Sequence, residues 1–400
     1  MTIRHTRRVF LSAATMMAAA LATTACGSPQ DTASGGGDSA PVKVGLVYSQ
    51  SGPLASYGKQ YIEGFKAGLD YATKGTGKVG DRKIELTEVD DAGDPAKAVS
   101  AAKELIGKGT KIIAGSTSSG VALQVAPIAA QNKVLFISGP AATDAVTGAN
   151  KYTFRSGRQS YQDVVTAKSF IGDAKSKKVV VFAQDGAFGD ANEAAVKNVI
   201  GGAGATVSSV RAPASATEFT PFASQIKAAK PDLLFVAWAG TTGPAMWQTL
   251  DQQGVLSSTT VVTGLDIRAT WPTFGAAGSK ISFLSHYFDG ASDTDAAKAA
   301  KAKIPGGTLD LFHPDGFAAA QMVVRAAQEG GDDVDKMIKA LEGWQFDSIK
   351  GQMTIRAEDH ALLQPMYQAK LAGSGTAYTA TAQKTLTGDE TAPPVTQMKG

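Results

Sequence analysis

The chain has 400 residues, 43% hydrophobic and 19% charged, so it is long enough for two globular domains and has no disordered bias. Its formal net charge of +3 comes from Arg4, Arg7 and Arg8, because residues 1–25 contain no acidic residue. The rest of the chain is neutral, which gives no electrostatic case for nucleic-acid binding. The single cysteine, Cys26, excludes an intrachain disulfide.

The N-terminal segment has the pattern of an export signal. A basic start precedes an alanine-rich apolar run from Val9 to Ala22, which is short for a membrane-spanning helix. The hexapeptide TRRVFL (Thr6–Leu11) resembles the twin-arginine signal, although a Sec signal can also carry paired arginines. The sequence therefore predicts a signal peptide over residues 1–25.

The lone cysteine lies where cleavage is expected. LATTAC (Leu21–Cys26) resembles a bacterial lipoprotein cleavage site, with Thr23 at the position where leucine is commonest. Residues 26–41 then form a Gly/Ser/Pro-rich stretch without apolar periodicity, typical of a flexible tether. We expect lipidation of Cys26 and an exported protein anchored to the outer face of the cytoplasmic membrane.

Strands and helices alternate through the first half of the folded part. The predicted strands are Val42–Tyr48, Ile84–Val89, Ile112–Ala114, Val134–Ile137 and Tyr152–Arg155. The predicted helices between them are Leu54–Thr73, Ala96–Ile106 and Ser119–Gln131. This alternation predicts a parallel, doubly wound α/β sheet.

The same alternation begins again after a predicted crossover at Ser156–Ser160. The predicted strands are Lys178–Ala183, Thr206–Arg211, Asp232–Ala237 and Thr260–Thr263, with helices Phe188–Ile200, Phe219–Ala229, Thr242–Gln253 and Ala269–Phe274. Later elements are an extended Ile281–Phe288, helices Ala296–Ala302, Phe312–Glu329 and Asp333–Glu342, and strands Phe346–Ile355 and Pro365–Leu371. The tail from Gly373 is polar and predicted to be loose. Two α/β units predict a bilobed protein with a cleft.

Small polar loops follow two neighbouring strands of the first unit. Ser116–Ser119 follows Ile112–Ala114, and Ser138–Thr143 follows Val134–Ile137. Ligands of open α/β sheets bind beyond the carboxyl ends of the strands. These two loops therefore predict one wall of a small-molecule site.

Several collinear segments carry a specific resemblance. They are VKVGLVYSQSGPLASYG (Val42–Gly58), GFKAGLDYA (Gly64–Ala72), VDDAGDPAKAVSAAKELI (Val89–Ile106), GSTSSGVALQVAPIA (Gly115–Ala129), FISGPAAT (Phe136–Thr143), GAFGDANEAAV (Gly186–Val196) and FDSIKGQMTI with ALLQPMY after it. The chain resembles the substrate-binding lipoproteins of branched-chain amino acid type ABC transporters. These have the type I periplasmic-binding-protein fold.

The resemblance implies two Rossmann-like lobes joined by three crossovers, near Ser156–Ser160, Ser282–Phe288 and Phe346–Gly351. We expect an N-terminal lobe of residues 42–157 and 290–347 and a C-terminal lobe of residues 158–289 and 348–400. The implied function is capture of a small amphipathic ligand by hinge closure. The implied partners are the permease subunits of a membrane transporter, and the protein is expected to be a monomer.

The resemblance also implies a ligand site. Ser118 and Ser119, at a helix start, match the position that receives an amino acid's carboxylate, although Ser119 could simply be an N-cap. Ala141, Ala142 and Thr143 match a second contact loop, in which the Ala141 carbonyl and the Thr143 hydroxyl would accept from an ammonium and the Thr143 N–H would donate to the carboxylate. The alternative for that loop is a plain turn.

On the other lobe, Asp266 matches an acidic position that pairs with the ammonium, or alternatively caps the turn at Ile267. Tyr57 and Phe188 match aromatic contacts, and Trp238, at the end of the Asp232–Ala237 strand, is a third candidate. Core or interlobe packing is the alternative for all three, and Phe188 replaces a commoner tyrosine. An aromatic wall favours an apolar amino acid, aliphatic or aromatic. Related compounds, aromatic acids and amides also fit such clefts.

Chemistry-bearing motifs are few. The histidines His5, His286, His313 and His360 are widely spaced, and no H-E-x-x-H, C-x-x-C, P-loop or G-x-S-x-G motif occurs. Asp90, Asp91 and Asp94 are better explained as an acidic loop or helix cap than as a cation site. We therefore predict no enzyme activity, cofactor or metal. A ligand-sensing receptor and a hydrolase using Ser116–Ser119 remain the alternatives.

Overall fold

The described part of the chain covers residues 40–374 and 377–399 of a computed structural model. The predicted signal peptide, Cys26 and nearly all of the tether lie outside these residues. Among the described residues, no helix is both long enough and apolar enough to cross a membrane. The fold begins with β1 and divides into two α/β lobes.

The first lobe is built on a six-stranded sheet with the order β2-β3-β1-β4-β5-β6. Its strands are β1 Val42–Tyr48, β2 Lys78–Val79, β3 Arg82–Asp90, β4 Ile112–Gly115, β5 Leu135–Ser138 and β6 Thr153–Arg155. All pairs are parallel except β2 with β3. Side chains of β1 and β4 alternate between two apolar clusters, one on each face, as expected for strands buried on both sides.

Helices cover both faces of this sheet. They are α1 Ala55–Ala72, α2 Pro95–Gly107, α3 Ser119–Asn132, α9 Asp295–Lys303, α10 His313–Gly330 and α11 Val334–Leu341. Helices α1 and α10 pack closely because the residues at their contact include glycines, which have no side chain. A Cβ on Gly64 would lie 2.0 Å from the His313 carbonyl oxygen, and one on Gly316 would lie 1.9 Å from that of Tyr61.

The second lobe has a seven-stranded sheet with the order β16-β15-β11-β10-β9-β7-β8. Its strands are β7 Lys178–Gln184, β8 Thr206–Ala212, β9 Leu233–Ala237, β10 Thr260–Gly264, β11 Ile281–Ser285, β15 Met366–Ser374 and β16 Ala377–Leu386. Strands β7 to β11 are parallel, whereas β15 and β16 are antiparallel additions. Its helices are α4 Ser160–Lys168, α5 Ala187–Val196, α6 Thr220–Ala229, α7 Gly243–Gln252 and α8 Val255–Ser258.

Three connections join the lobes. The chain leaves the first lobe between β6 and α4, within the predicted Ser156–Ser160, and it returns between β11 and α9, from the end of the predicted Ser282–Phe288 onward. The third connection is Gln364–Pro365, later than the predicted Phe346–Gly351. The predicted arrangement of two doubly wound lobes is confirmed. The lobes also hydrogen-bond directly, since the backbone N–H of Arg268 donates to an Asp310 carboxylate oxygen at 2.9 Å.

The third connection shifts because a small sheet intervenes. The predicted single strand Phe346–Ile355 is instead two strands, β12 Gln345–Ser348 and β13 Gly351–Ile355, which pair antiparallel and are followed by β14 Leu362–Leu363. Met353, Ile355 and Leu362 belong to the apolar core of the first lobe. They do so although they follow residue 347, where we expected that lobe's second segment to end.

Two further predictions about local structure were wrong. The tail predicted to be loose from Gly373 continues β15 to Ser374 and then forms β16, paired antiparallel with β15. Beyond β16 the chain returns to the first lobe, where the Lys399 N–H donates to the Gly148 carbonyl at 3.0 Å. The predicted short helix Ala269–Phe274 is a longer 3₁₀ segment, Arg268–Lys280, with Pro272 inside it.

Candidate functional site

A cavity of about 620 Å³ lies between the lobes. It is within the size range of small-molecule sites, roughly 300–1,000 Å³. The first lobe contributes the loops after β1, β4 and β5, and the second lobe contributes the loops after β7, β9 and β10. Of the residues predicted to bind a ligand, those at its wall are Tyr57, Ser118, Ser119, Ala142, Phe188, Trp238 and Asp266.

The N-terminus of α3 opens onto this cavity. Ser118 is the N-cap residue, but its side chain makes no capping hydrogen bond, and the Ser119 hydroxyl accepts instead from the Thr143 N–H at 3.3 Å. Ser118 is held by its carbonyl, which accepts from the Ser116 hydroxyl at 2.8 Å. The neighbouring Thr117 is buried, and its hydroxyl has no hydrogen-bond partner within the described residues. Helix N–H groups and the positive end of the dipole therefore face the cavity.

A second helix begins at the opposite wall. Helix α5 follows Gly186, whose φ of 118° is a left-handed conformation that favours glycine, and no side chain caps it. A Cβ on Gly189 would lie 1.9 Å from the Gln184 carbonyl, so a glycine is needed for this tight start. Phe188, in the first turn, lines the cavity while packing against the second lobe's core. Two helix N-termini, one from each lobe, thus border one cavity.

Aromatic rings form much of the apolar wall. Tyr57 is buried with its ring 4.7 Å from that of Phe312. Trp238 is half-buried against Phe182 and Phe219, with ring centroids at 5.1 and 5.3 Å, and its indole N–H donates to Thr242 at 3.0 Å. Trp238 therefore serves core packing and the cavity wall together, so the two sequence-based interpretations of it are compatible.

Asp266 supplies a carboxylate to the wall. One of its oxygens accepts from the Ile267 N–H at 2.7 Å, so the turn-capping alternative is also present. Removal from water raises the pKa of Asp266 to about 6, despite hydrogen bonds from the Ile267 N–H and the Tyr57 hydroxyl. Burial and the nearby Asp266 charge raise the Tyr57 pKa well above its ordinary value. A cation at this carboxylate would restore its ionised form.

The second predicted contact loop is only partly at the cavity. Ala142 lines it, but Ala141 and Thr143 do not. The buried Arg155 guanidinium donates hydrogen bonds to the backbone carbonyls of both residues, to Ala141 at 2.9 Å and to Thr143 at 3.2 Å. The Thr143 N–H, expected to face a carboxylate, donates to Ser119 instead. In this structure these two residues hold the loop in place behind the wall, and their direct contact with a ligand stays a prediction.

Polar residues at the cavity floor were missed in the sequence. Arg158 donates to the Pro140 carbonyl at 2.9 Å, and its Nε lies 3.3 Å from an Asp163 carboxylate oxygen. Burial and nearby positive charges lower the pKa of His286 well below its ordinary value, so its imidazole is neutral. Arg158 follows the end of β6 and His286 follows β11. Arg158 could have been singled out from the sequence because it is a charged residue within the predicted crossover Ser156–Ser160.

The acidic loop after β3 has a structural explanation. Asp94 is the N-cap of α2 and accepts from the Ala96 and Lys97 N–H groups at 2.7 and 3.3 Å. Asp90 accepts from the Gln50 N–H at 2.8 Å. Across residues 40–374 and 377–399, no group of three potential ligands is arranged to hold a metal ion.

Comparisons with known proteins agree with this geometry. A family model described as periplasmic binding protein matches residues 41–376. The Leu/Ile/Val-binding protein BraC3 of Rhizobium johnstonii is 27% identical over 325 residues, covering 79% of this chain and 87% of that protein. Leu/Ile/Val-binding protein homolog 3 of Brucella melitensis is 28% identical over the same length and the same coverage.

Two solved structures give the corresponding comparison in three dimensions. The crystal structure of an ABC-type branched-chain amino acid transporter protein from Rhodopseudomonas palustris is 32% identical, with a TM-score of 0.73 over 90% of this chain and 100% of that one. A solute-binding protein of an ABC transporter from the HaA2 strain of that species, in complex with p-hydroxybenzoic acid, is 25% identical. Its TM-score is 0.79 over 88% of this chain and 98% of its own.

Proposed function

The chain belongs to the periplasmic binding protein family, and from this premise we propose that it captures an apolar amino acid between its lobes and delivers it to an ABC importer. The resemblance predicted from the sequence is confirmed. Members of such a family bind solutes outside the cytoplasm. The observation that carries the choice of ligand is that one cavity holds both an uncapped helix N-terminus and the Asp266 carboxylate.

The ligand carboxylate would be received by the start of α3. Ser118, Ser119 and Gly120, at the start of this helix, line the cavity. Anions are favoured at such a helix end by about 0.3–1 kcal/mol at an exposed site and by more when partly buried. Ala141 and Thr143 would act indirectly, by holding the Ser119 hydroxyl and its loop.

The ligand ammonium would pair with Asp266. The cost of burying this carboxylate, visible in its raised pKa, is offset when a cation arrives. A charge-assisted hydrogen bond of this kind contributes about 1.5–3 kcal/mol. Phe188, Trp238 and Phe312 would then surround an apolar side chain. The two charged ends and the aromatic wall are what a zwitterionic, amphipathic ligand requires.

Hinge closure would couple capture to delivery. The cavity is shared by the lobes, and each of them contributes one helix N-terminus, so a ligand that touches both favours the closed state. Lipidation of Cys26 would keep the protein beside its permease at the membrane surface. Both the anchor and the transporter partner are part of this proposal and are carried by the sequence and the family resemblance.

A thermal-shift screen of the chain with Cys26→Ser tests the ligand class. Leucine, isoleucine, valine and phenylalanine form one set, and 4-hydroxybenzoate and small amides form the other. A ligand at 100 times its Kd stabilises the folded state by about 2.7 kcal/mol, which raises the melting temperature by a measurable amount. Stabilisation by the first set alone supports the proposal. Stabilisation by the second set alone overturns the choice of ligand while leaving the binding class intact.

An aromatic carboxylic acid is the second candidate ligand. The p-hydroxybenzoic acid complex has the same fold at 25% identity, and Tyr57, Phe188, Trp238 and Phe312 make this cavity wall strongly aromatic. An aromatic acid has a carboxylate for α3 but no ammonium for Asp266. Its binding would therefore tolerate loss of the Asp266 charge, whereas binding of an amino acid would not.

A further inference from the structure

A carboxylate that does not touch the cavity lies where the lobe connections meet. Asp315, in the first turn of α10, is fully buried, and neither of its oxygens has a hydrogen-bond partner within the described residues. Its Oδ1 lies 3.7 Å from the Lys350 Nζ, and its Oδ2 lies 3.6 Å from the His286 Nε2. A buried charge is costly unless it is compensated, so these neighbours determine whether Asp315 is tolerated as an anion.

These neighbours lie in the first two connections between the lobes or, for Lys350, contact the third. Gly157 and Arg158 lie in the first connection: a Cβ on Gly157 would be 2.9 Å from Asp315 Oδ2, and Arg158 attracts the Asp315 charge. His286 begins the second connection. Lys350 donates to the Gln364 side chain, which belongs to the third connection. Arg158, His286, Asp315 and Lys350 are hereafter the hinge cluster.

The hinge cluster is also continuous with the ligand cavity. Arg158 and His286 line the cavity floor, whereas Asp315 and Lys350 lie behind it. A change in the charge or position of Asp315 is therefore transmitted to the floor residues and to all three connections. This arrangement differs from an ordinary buried ion pair, which would join only two segments.

We propose that Asp315 is a positioning residue of the hinge, whose carboxylate holds the three lobe connections in the closed arrangement and thereby determines ligand affinity from behind the cavity wall. The effect on affinity rests on the proposed ligand-binding function, whereas the effect on lobe opening does not. Removing the negative charge leaves the buried Lys350 ammonium without its carboxylate partner and leaves Arg158 with Asp163 alone. The connections then separate, and the open state gains population.

Electron-spin distance measurement on the ligand-free protein tests this directly. Spin labels on Lys97→Cys in the first lobe and Glu218→Cys in the second, both exposed, report lobe separation, with Cys26→Ser removing the competing thiol. We expect Asp315→Asn, which keeps the side chain's shape, to increase the fraction at long distance at least several-fold. Affinity for leucine, measured by titration calorimetry, should fall about tenfold. The exposed Asp335→Asn serves as the matched control and should change neither.

The pH profile gives a readout that a purely structural role would not move. Burial raises the pKa of Asp315 to about 6, against the attraction of Lys350, Arg158 and Arg155; the neutral His286 and the buried Tyr61 also face it. Asp315 changes its charge across this range, so the closed fraction of the parent should differ between pH 5 and pH 7. The measurement is made with Asp266→Asn present, because Asp266 also titrates near pH 6. Asp315→Asn should flatten the profile.

A double variant keeps the test decisive. If Asp315→Asn folds poorly, Asp315→Asn combined with Lys350→Met removes both charges, and we expect it to fold and to retain the long-distance population. Distance distributions and pH profiles identical to those of the parent protein would overturn the proposal. A shifted distribution without binding of any amino acid would support the hinge role of Asp315 and reject the proposed ligand.

Discussion

The Tyr57 hydroxyl of the first lobe accepts a hydrogen bond of 3.2 Å from the backbone N–H of Gly240 in the second lobe. The same hydroxyl interacts with Asp266, also in the second lobe, and the Tyr57 ring lines the cavity. One side chain therefore joins the lobes and contributes to the ligand wall. Separation of the lobes would break both hydrogen bonds.

Replacing Tyr57 with Phe should weaken ligand binding without disturbing the apolar wall. The variant loses a hydrogen bond made only when the lobes are together, so affinity should fall by about 0.5–1.5 kcal/mol. Titration calorimetry measures this change. The control is Tyr71→Phe on the same helix, an exposed position that should bind as the parent does. Equal affinities for the two variants would mean that the Tyr57 hydroxyl contributes nothing to closure.

Replacing Asp266 with Asn should separate the two candidate ligand classes. Binding of an amino acid should weaken by about 1.5–3 kcal/mol, because the ammonium loses its charged partner. Binding of an aromatic acid should be unchanged or stronger, since a negative charge is removed from the cavity. Calorimetry with phenylalanine and 4-hydroxybenzoate gives both values, and the exposed Asp251→Asn on the same lobe is the control. An unaltered phenylalanine affinity would exclude Asp266 from the site.

Amino-acid affinity should rise with pH across the titration of Asp266. Burial raises the pKa of this carboxyl to about 6, above its ordinary value, so below pH 6 it is largely protonated and cannot pair with an ammonium. Affinity should increase from pH 5 to pH 7 and then level off. The ligand-free protein should show the opposite trend in stability. Its folded state holds the proton that the unfolded chain releases near pH 4, so this contribution declines as pH rises through 6.

Calorimetry across this pH range, with Asp266→Asn as reference, separates Asp266 from the hinge cluster. The variant retains Asp315, so any pH dependence that persists belongs to other groups. The pH dependence of affinity that is lost in the variant is the contribution of Asp266. Identical profiles for the parent and the variant would contradict the assignment.

Replacing Gly64 with Ala should destabilise the first lobe. The added methyl group would lie 2.0 Å from the His313 carbonyl oxygen, so α1 and α10 must separate. Overpacking of this kind costs about 1–3 kcal/mol and occasionally more. Gly107→Ala in α2 is the control, because nothing lies within 4 Å of its Cβ and a helical alanine stabilises by up to about 1 kcal/mol. Denaturant unfolding compares the two, and equal midpoints would contradict the close-packing argument.

Much of the fold was predictable because the pattern is local. Parallel strands buried on both faces give continuous apolar runs, such as Val134–Ile137, and helices between them give a 3.6-residue period. Strand β16 escaped prediction because it is an edge strand: its side chains are mostly exposed and polar, and its place is determined by pairing with β15. Its partly buried Tyr378 and Ala380, which pack on the second lobe's core, were the remaining apolar signal.

The limits of site prediction were set by contacts between distant segments. Residues on loops after strands, such as Ser118, Phe188 and Asp266, reach the cavity because every parallel strand ends at the same edge. Ala141 and Thr143 satisfy the same rule but are held behind the wall by Arg155 from β6. Arg155 lies outside this loop, so the sequence of the loop alone does not predict its hydrogen bonds to Arg155. The hinge cluster was harder still to predict from the sequence, because Asp315 and Lys350 are far from Arg158 along the chain.

The return of the chain end to Gly148 has a practical consequence. Both β1, where the described fold begins, and Lys399 lie in the first lobe, so each of the two segments that form the second lobe is flanked by first-lobe residues. Fluorescent proteins fused directly before Val42 and after Lys399 would both be attached to the first lobe and give little change in energy transfer on closure. A biosensor built from this scaffold needs its reporter inserted into a surface turn of the second lobe, such as the one before α6.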